Sequence, residues 1–540
     1  MFSRFSPMVS RPAWYLSFLV VMVGGCGGSA SKTPRSAAAD ASTTATDPLA
    51  KETWDVYYMQ GQRVGYARTT RRRVKQDGAK WLRIEEELIL SIKRFGQSSE
   101  QRIKLESIES PDGGARSFRS ESTMGAGPVV TTGLIERNQL VSETKTAGKT
   151  SVSRQEWPSD AGGYFAVDLD LARRPMRPAE RRTLSALQPI FNVLGTIELT
   201  ARDYEPTSLL TGTYDLLRID SVLEIQGQRI ESTLWTDRTG ETLKTQVAGD
   251  IEQIAYRATK EQALEKAQAA TFDLGVASTV KLDRPLENAH QTRRAKYRLE
   301  LAGADPARVF VTGPTQQVVS TGPHTAEVTV IAIRPDAPAP DAPSGPPLDS
   351  NEASAGADRP TDADRPTDAD RPTDADREPN DLLQSADPRI VAMAREAAGH
   401  ETEPARRAVA LEKYVHAKIH RKDFSTAFAT AAEVAESLQG DCTEHAVLLA
   451  ALARANGLAA RVAVGLVYVA REQGFAFHMW TEVYLHDRWV PLDATLGQGG
   501  IGAAHLKLGH SNLKGAAALA SLLPVAQVLG RLKIEVIEIE

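Results

Sequence analysis

The chain has 540 residues and a mass of 58.5 kDa, several times the ~100–200 residues of one domain. Apolar residues make up 41% and charged ones 25%, ordinary globular proportions that exclude wholesale disorder and a multi-span membrane protein. Lys and Arg number 64 against 69 Asp and Glu, a net charge of −5 that argues against a nucleic-acid partner bound through a basic footprint. Two cysteines, Cys26 and Cys442, are too few for a disulfide framework or a cysteine-built zinc site.

Residues 1–25 read as an export signal. Arg4 and Arg11 form a positive start, and Ala13–Gly25 is an apolar run too short for the ~20 residues of a membrane-spanning helix. Val23-Gly24-Gly25-Cys26 resembles the lipobox of bacterial lipoproteins, which implies a lipidated Cys26; an ordinary signal peptide ending in Cys is the plain alternative. Residues 26–52, rich in Ser, Thr and Ala, suit a solvated tether. The expected place is the cell envelope, on the periplasmic face of the outer membrane, with Cys442 the one thiol left unmodified.

From Trp54 to about Asp283 strand follows strand. Trp54, Val56 and Tyr58 alternate with polar residues, Gln60-Gly61 turns the chain, and Val64–Thr70 and Trp81–Ile92 continue the pattern. Leu223–Ile230 repeats the device around Gln226-Gly227. Residues 53–285 thus predict a large antiparallel β domain, apolar on one face, with no Cys, His or phosphate-type glycine loop to suggest a second enzyme. A smaller β segment over 286–334 has strands near Lys296–Leu301, Arg308–Val311 and Ala326–Ile333. Residues 335–381 read as a Pro/Asp-rich linker in which DRPTDA occurs three times, a period too short for a folded solenoid.

The remainder, 382–540, turns helical, with apolar spacing over Ile390–Ala398 and Ala405–Ile419 and a further helix at Ala431–Leu438. His416 and His420 are four apart but lack the intervening Glu of a zinc motif, so they read as surface or capping residues, and no metal or cofactor is expected. Asp441 reads as an N-cap that places Cys442 in the first turn of a helix stopping at Gly457. There the helix dipole and orphan N–H groups favour the nucleophilic thiolate. Phe475–Leu485 and Trp489–Thr495 read as a hairpin through His486-Asp487-Arg488. Its two apolar sets can share a face only if His478 and Asp493 share the other, across from each other or one step diagonal.

The segments GDCTEHA, FHMWTEVY and WVPLDAT, in that order, resemble the transglutaminase-like superfamily with its papain-like core. The resemblance implies an α+β domain of helices on an antiparallel sheet and a triad of Cys442, His478 and Asp493. It covers 382–540 and is silent on 53–335. His445, one turn from Cys442, is a competing base or a pocket residue; Gln439 is a candidate second oxyanion donor, Trp480 a candidate pocket wall, and Asp487 a solvated turn residue. Such a triad performs acyl transfer, which implies a peptidase or amidase acting on peptide or protein substrates. A protein-crosslinking transglutaminase and a catalytically silent, lipid-anchored binding or assembly protein are the alternatives.

Wild-type protein is expected to begin at Cys26 and to partition with membranes, whereas Cys26→Ser leaves it soluble or unprocessed. Fractionation with mass analysis of the N-terminus checks this; a wholly soluble wild-type protein removes the anchor.

Overall fold

A computed structural model of the chain describes residues 51–123, 128–146, 149–189, 191–225, 228–247, 251–265, 272–335, 371–420, 429–514 and 523–540. The expected export signal, Cys26 and most of the expected linker lie outside these residues. Among them no helix is long and apolar enough to cross a membrane.

The alternating segments of the first half form one sheet of fifteen strands between Lys51 and Ala258. It is antiparallel except at the two-residue strand Ala161–Gly162. Most neighbours in sequence pair by hairpins, Lys149–Glu156 and Ala161–Gly162 being the two edges of the sheet, and the first strand, Lys51–Met59, pairs with the last, Gln253–Ala258. Period-2 patterning explains the fold: in Ala79–Arg94, Leu82, Ile84, Leu88, Leu90 and Ile92 are buried on one face with Glu86, while the alternate residues from Trp81 to Lys93 are partly exposed. Ile225 pairs with Gln228 across two antiparallel strands, and Gln226-Gly227 lies outside the described residues.

The second half holds two sheets. Arg294–Leu301 lies between Thr325–Ile331 and the terminal strand Leu532–Ile539, with Gln316–Gly322 at the edge. In the other sheet the middle strand Ala460–Val469 pairs with the histidine strand Gly474–Leu485 and with His505–Ser511. Arg488–Leu492 and the short Val280–Lys281 both pair with the histidine strand. The helix Cys442–Ala455, buried along nearly its whole length, packs against this sheet, where Thr481 donates to the Ala446 carbonyl at 2.9 Å.

Three sequence expectations change. First, Arg308–Val311 is not a strand: Asp305 caps a helical turn at Pro306–Arg308, and Phe310 is buried beyond it. Second, the smaller β segment is not a separate unit. Tyr297, Leu299 and Val328 share one core with Leu448, Val462 and Val536, because the C-terminal strand completes their sheet. Third, the linker does not extend to 381. Thr373 and Asp376 form a capping box around a turn at Asp374–Asp376, and the buried Arg454 donates to the Glu378 carbonyl at 2.7 Å.

The shared core predicts that a fragment starting at residue 382 loses cooperative melting, because it leaves Leu532, Ile534 and Val536 without their partner strand. A fragment starting at residue 272 should keep it. Calorimetry of both checks this, and a cooperative transition in the shorter fragment would contradict it.

Candidate active site

Cys442 is the first residue of its helix. Asp441 is the N-cap: its Oδ1 accepts the Thr443 N–H at 2.9 Å, and Glu444 returns the bond by accepting the Asp441 N–H at 2.9 Å. The cap takes the N–H of Thr443 rather than that of Cys442, so the latter remains a first-turn donor for a developing oxyanion. Burial, with the neighbouring Asp441 charge, pushes the Glu444 carboxyl well above its usual range.

The histidine strand carries His478 to the thiol. Thr481 pairs with Leu492, so the hairpin register ends one residue before Asp493, and the carboxylate reaches diagonally to accept from His478 Nε2 at 2.7 Å. With Nε2 engaged, Nδ1 is the nitrogen left for Cys442. Burial opposes charge on the ring, but Asp493 and the hydrogen-bonded Cys442 outweigh it and raise the His478 pKa to about 10. Asp493 is likewise buried, yet His478 and His505 hold its carboxyl well below the usual range. The result is an imidazolium fixed between a carboxylate and a thiol, the arrangement that stabilises a thiolate.

Two supporting residues escaped the sequence reading. His505 Nε2 donates to the same Asp493 oxygen at 3.2 Å; it is completely buried, and desolvation lowers its pKa, so it serves as a neutral donor. Glu412 Oε1 accepts the N–H groups of Asp493 at 3.1 Å and Gly500 at 3.2 Å, clamping the loop that carries the carboxylate. The alternating HLKLGHS strand marks His505 only as an inward position, and Glu412 hides among the apolar positions of a helix.

A cavity of about 540 Å³ opens beside Cys442. His445 lines it, with Nδ1 donating to the Asp441 carbonyl at 2.6 Å, so this nitrogen is committed to the start of its own helix. Trp480 does not line the cavity: its ring stacks on His478 (6.4 Å, 21°) and meets His505 edge-on (5.3 Å, 79°), packed behind the triad. Gln439 is also off the cavity wall, because the chain turns sharply through Leu438 and Gly440 at φ of 50° and 140°. His416 is half-buried, its Nδ1 donating to the Ala494 carbonyl at 3.0 Å, and His420 is exposed. Asp487 lies in the tight turn at positive φ, where the spacing put it. Among the described residues, His478, Asp493 and His505 are the one group with ligand atoms close enough to hold a metal, within 4.8 Å of one another. An ion there would take the nitrogen and carboxylate oxygen that orient the base.

Burial raises the Glu412 pKa from 4.5 to about 7. The folded state therefore binds this proton more tightly than the unfolded one. The cost of ionising Glu412 is absent below pH 4.5, grows between 4.5 and 7, and is complete above 7, on the order of 3 kcal/mol. Glu412→Gln carries no such cost, so its melting temperature relative to wild type should rise from pH 4.5 to 7 and then level. A pH-independent difference would contradict the buried, ionising carboxyl.

Residues 391–494 match the family model of the transglutaminase-like superfamily. A search of curated proteins found no match. Among solved structures, a candidate cysteine protease from Cytophaga hutchinsonii shares 13% identity over 46% of this chain and 86% of its own, with a TM-score of 0.28. A β-barrel-like protein from Brucella abortus shares 8% identity over 39% and 96%, with a TM-score of 0.30. A candidate protease from Parabacteroides distasonis shares 9% over 77% and 64%, with a TM-score of 0.17. Overlaps this small carry no functional weight. The family match falls on the helix, strand and loop that bring Cys442, His478 and Asp493 together, so residues 391–494 form a transglutaminase-like region of the chain.

Proposed function

We propose that the protein is a cysteine acyl-transfer enzyme of the cell envelope, anchored through a lipid on Cys26, that hydrolyses amide bonds in peptide or protein substrates. The observation that carries this reading is His478, held charged between Asp493 and Cys442. The Cys442 thiolate adds to the substrate carbonyl, and the oxyanion that forms is met by the Cys442 N–H at the helix start. His478 gives its proton to the departing amine as the C–N bond breaks, leaving a thioester. His478 then takes a proton from water as it attacks, the C–S bond breaks, and the acid product leaves. A lysine amine in place of water would give a crosslink instead; a free carboxylate product identifies hydrolysis, an isopeptide identifies transfer.

Iodoacetamide labelling at pH 6–7 tests the triad. A lone cysteine of pKa ~8.5 is about 1% thiolate at pH 6.5, so His478→Ala should slow alkylation of Cys442 by ~10–100-fold. Asp493→Asn should slow it less, since both reacting groups remain, and Asp487→Asn should match wild type. Cys442→Ala should abolish hydrolysis. An alkylation rate indifferent to His478 would remove the triad and favour a silent binding protein.

A further inference from the structure

The first sheet ends at the reactive thiol. The hairpin joining Ala79–Arg94 to Gln97–Glu109 brings Arg94 against Asp441, Nη1 to Oδ2 at 2.8 Å, a buried ion pair across 347 residues of sequence. The connection between the sheets fixes this approach. Lys93 donates to the Phe272 carbonyl at 2.8 Å, and eight residues later Val280 pairs with Phe475 of the histidine strand. Arg94, Phe95 and Gln97 thereby line the cavity beside Cys442.

The turn itself is unusual. Three hairpins of the first sheet place a residue and then a glycine at positive φ: Gln60-Gly61 (45°, 71°), Asp77-Gly78 (50°, 78°) and Phe95-Gly96 (48°, 86°). This conformation suits Asn, Asp or Gly at its first position, and a bulky aromatic there is strained. The surroundings hold it in place. Asp273 accepts the N–H of Phe95 at 2.8 Å and that of Gly96 at 2.6 Å. Gly275 leaves room for the ring, since a Cβ there would lie 2.9 Å from the Phe95 ring and backbone. Strain kept at a cleft, where a polar turn residue would serve the hairpin better, marks a side chain retained for what it does in the cleft. The same wall carries the apolar Val467, Val469, Ala476, Phe477 and Leu496, with the Arg471 guanidinium 5.9 Å from the Phe95 ring and that of Arg94 6.0 Å from the Phe477 ring.

We propose that Phe95 is a specificity-determining residue, forming with Phe477 and Leu496 a subsite that takes a large apolar side chain, aromatic or branched, next to the reacting carbonyl of the acyl donor. The β domain, remote in sequence from the nucleophile, then decides which acyl groups reach it. The substrate class rests on the acyl-transfer reading of Cys442; the subsite itself is tested separately, by thiol reagents of different size.

The test uses the full chain carrying Cys26→Ser, so that Cys442 is its one thiol, with benzyl and methyl methanethiosulfonate as probes. These reagents modify thiols with or without a neighbouring base. The ratio of benzyl to methyl rates should exceed that of free cysteine by about 10-fold or more, as burial of an aromatic group allows. Phe95→Asn, which suits the left-handed backbone, should melt at or above wild type and bring the ratio close to that of free cysteine, while Phe95→Tyr should keep it. A wild-type ratio equal to that of free cysteine, or a ratio unchanged in folded Phe95→Asn, would overturn the subsite. Loss of the triad would show differently, as slow iodoacetamide labelling indifferent to His478 with the benzyl preference intact.

Discussion

The carboxylate of Asp441 serves two parts of the molecule at once. One oxygen caps the helix that begins at Cys442, and the other accepts the guanidinium of Arg94 from the first sheet. A capping carboxylate at the N-terminus of a helix fixes the first turn, and with it the position and electrostatic surroundings of the thiol. A buried charge also needs a buried partner, since removing one member of such a pair costs ~3–5 kcal/mol. The reactive helix and the hairpin of the β domain are thus locked by the same group, and the cleft has a wall from each.

The site is an arrangement of buried charge held by hydrogen bonds. Asp493 accepts from two histidines, one carrying charge and one neutral. Its backbone is clamped by Glu412, and Trp480 closes the back of His478. In low dielectric each of these groups would be costly alone. Together they leave His478 with one orientation, and orientation is what a general base requires.

The triad was legible because its signals are local: a capping residue before a cysteine, two alternating strands, and a register rule that forces His478 and Asp493 to one face. The helices of the second half were legible for the same reason, as apolar spacing survives within one element. Contacts between distant segments were not. Nothing around Arg94 announces a partner at Asp441, and Phe95-Gly96 differs from the other hairpin turns by one side chain. His505 and Glu412 look like ordinary alternation and ordinary helix until the fold sets both beside Asp493. The small β segment and the terminal strand each alternate convincingly, yet only their pairing reveals that they complete the core of the second half.

In the proposed reaction Cys442 carries an acyl group during turnover. Intact-mass analysis after brief exposure to an activated aryl ester of a peptide acid tests it most directly. One acyl adduct is expected, mapped to Cys442, released by hydroxylamine, and short-lived in water when His478 is present. A Cys442 that takes alkylating reagents but forms no hydroxylamine-labile adduct, or an adduct mapped to another residue, would contradict it.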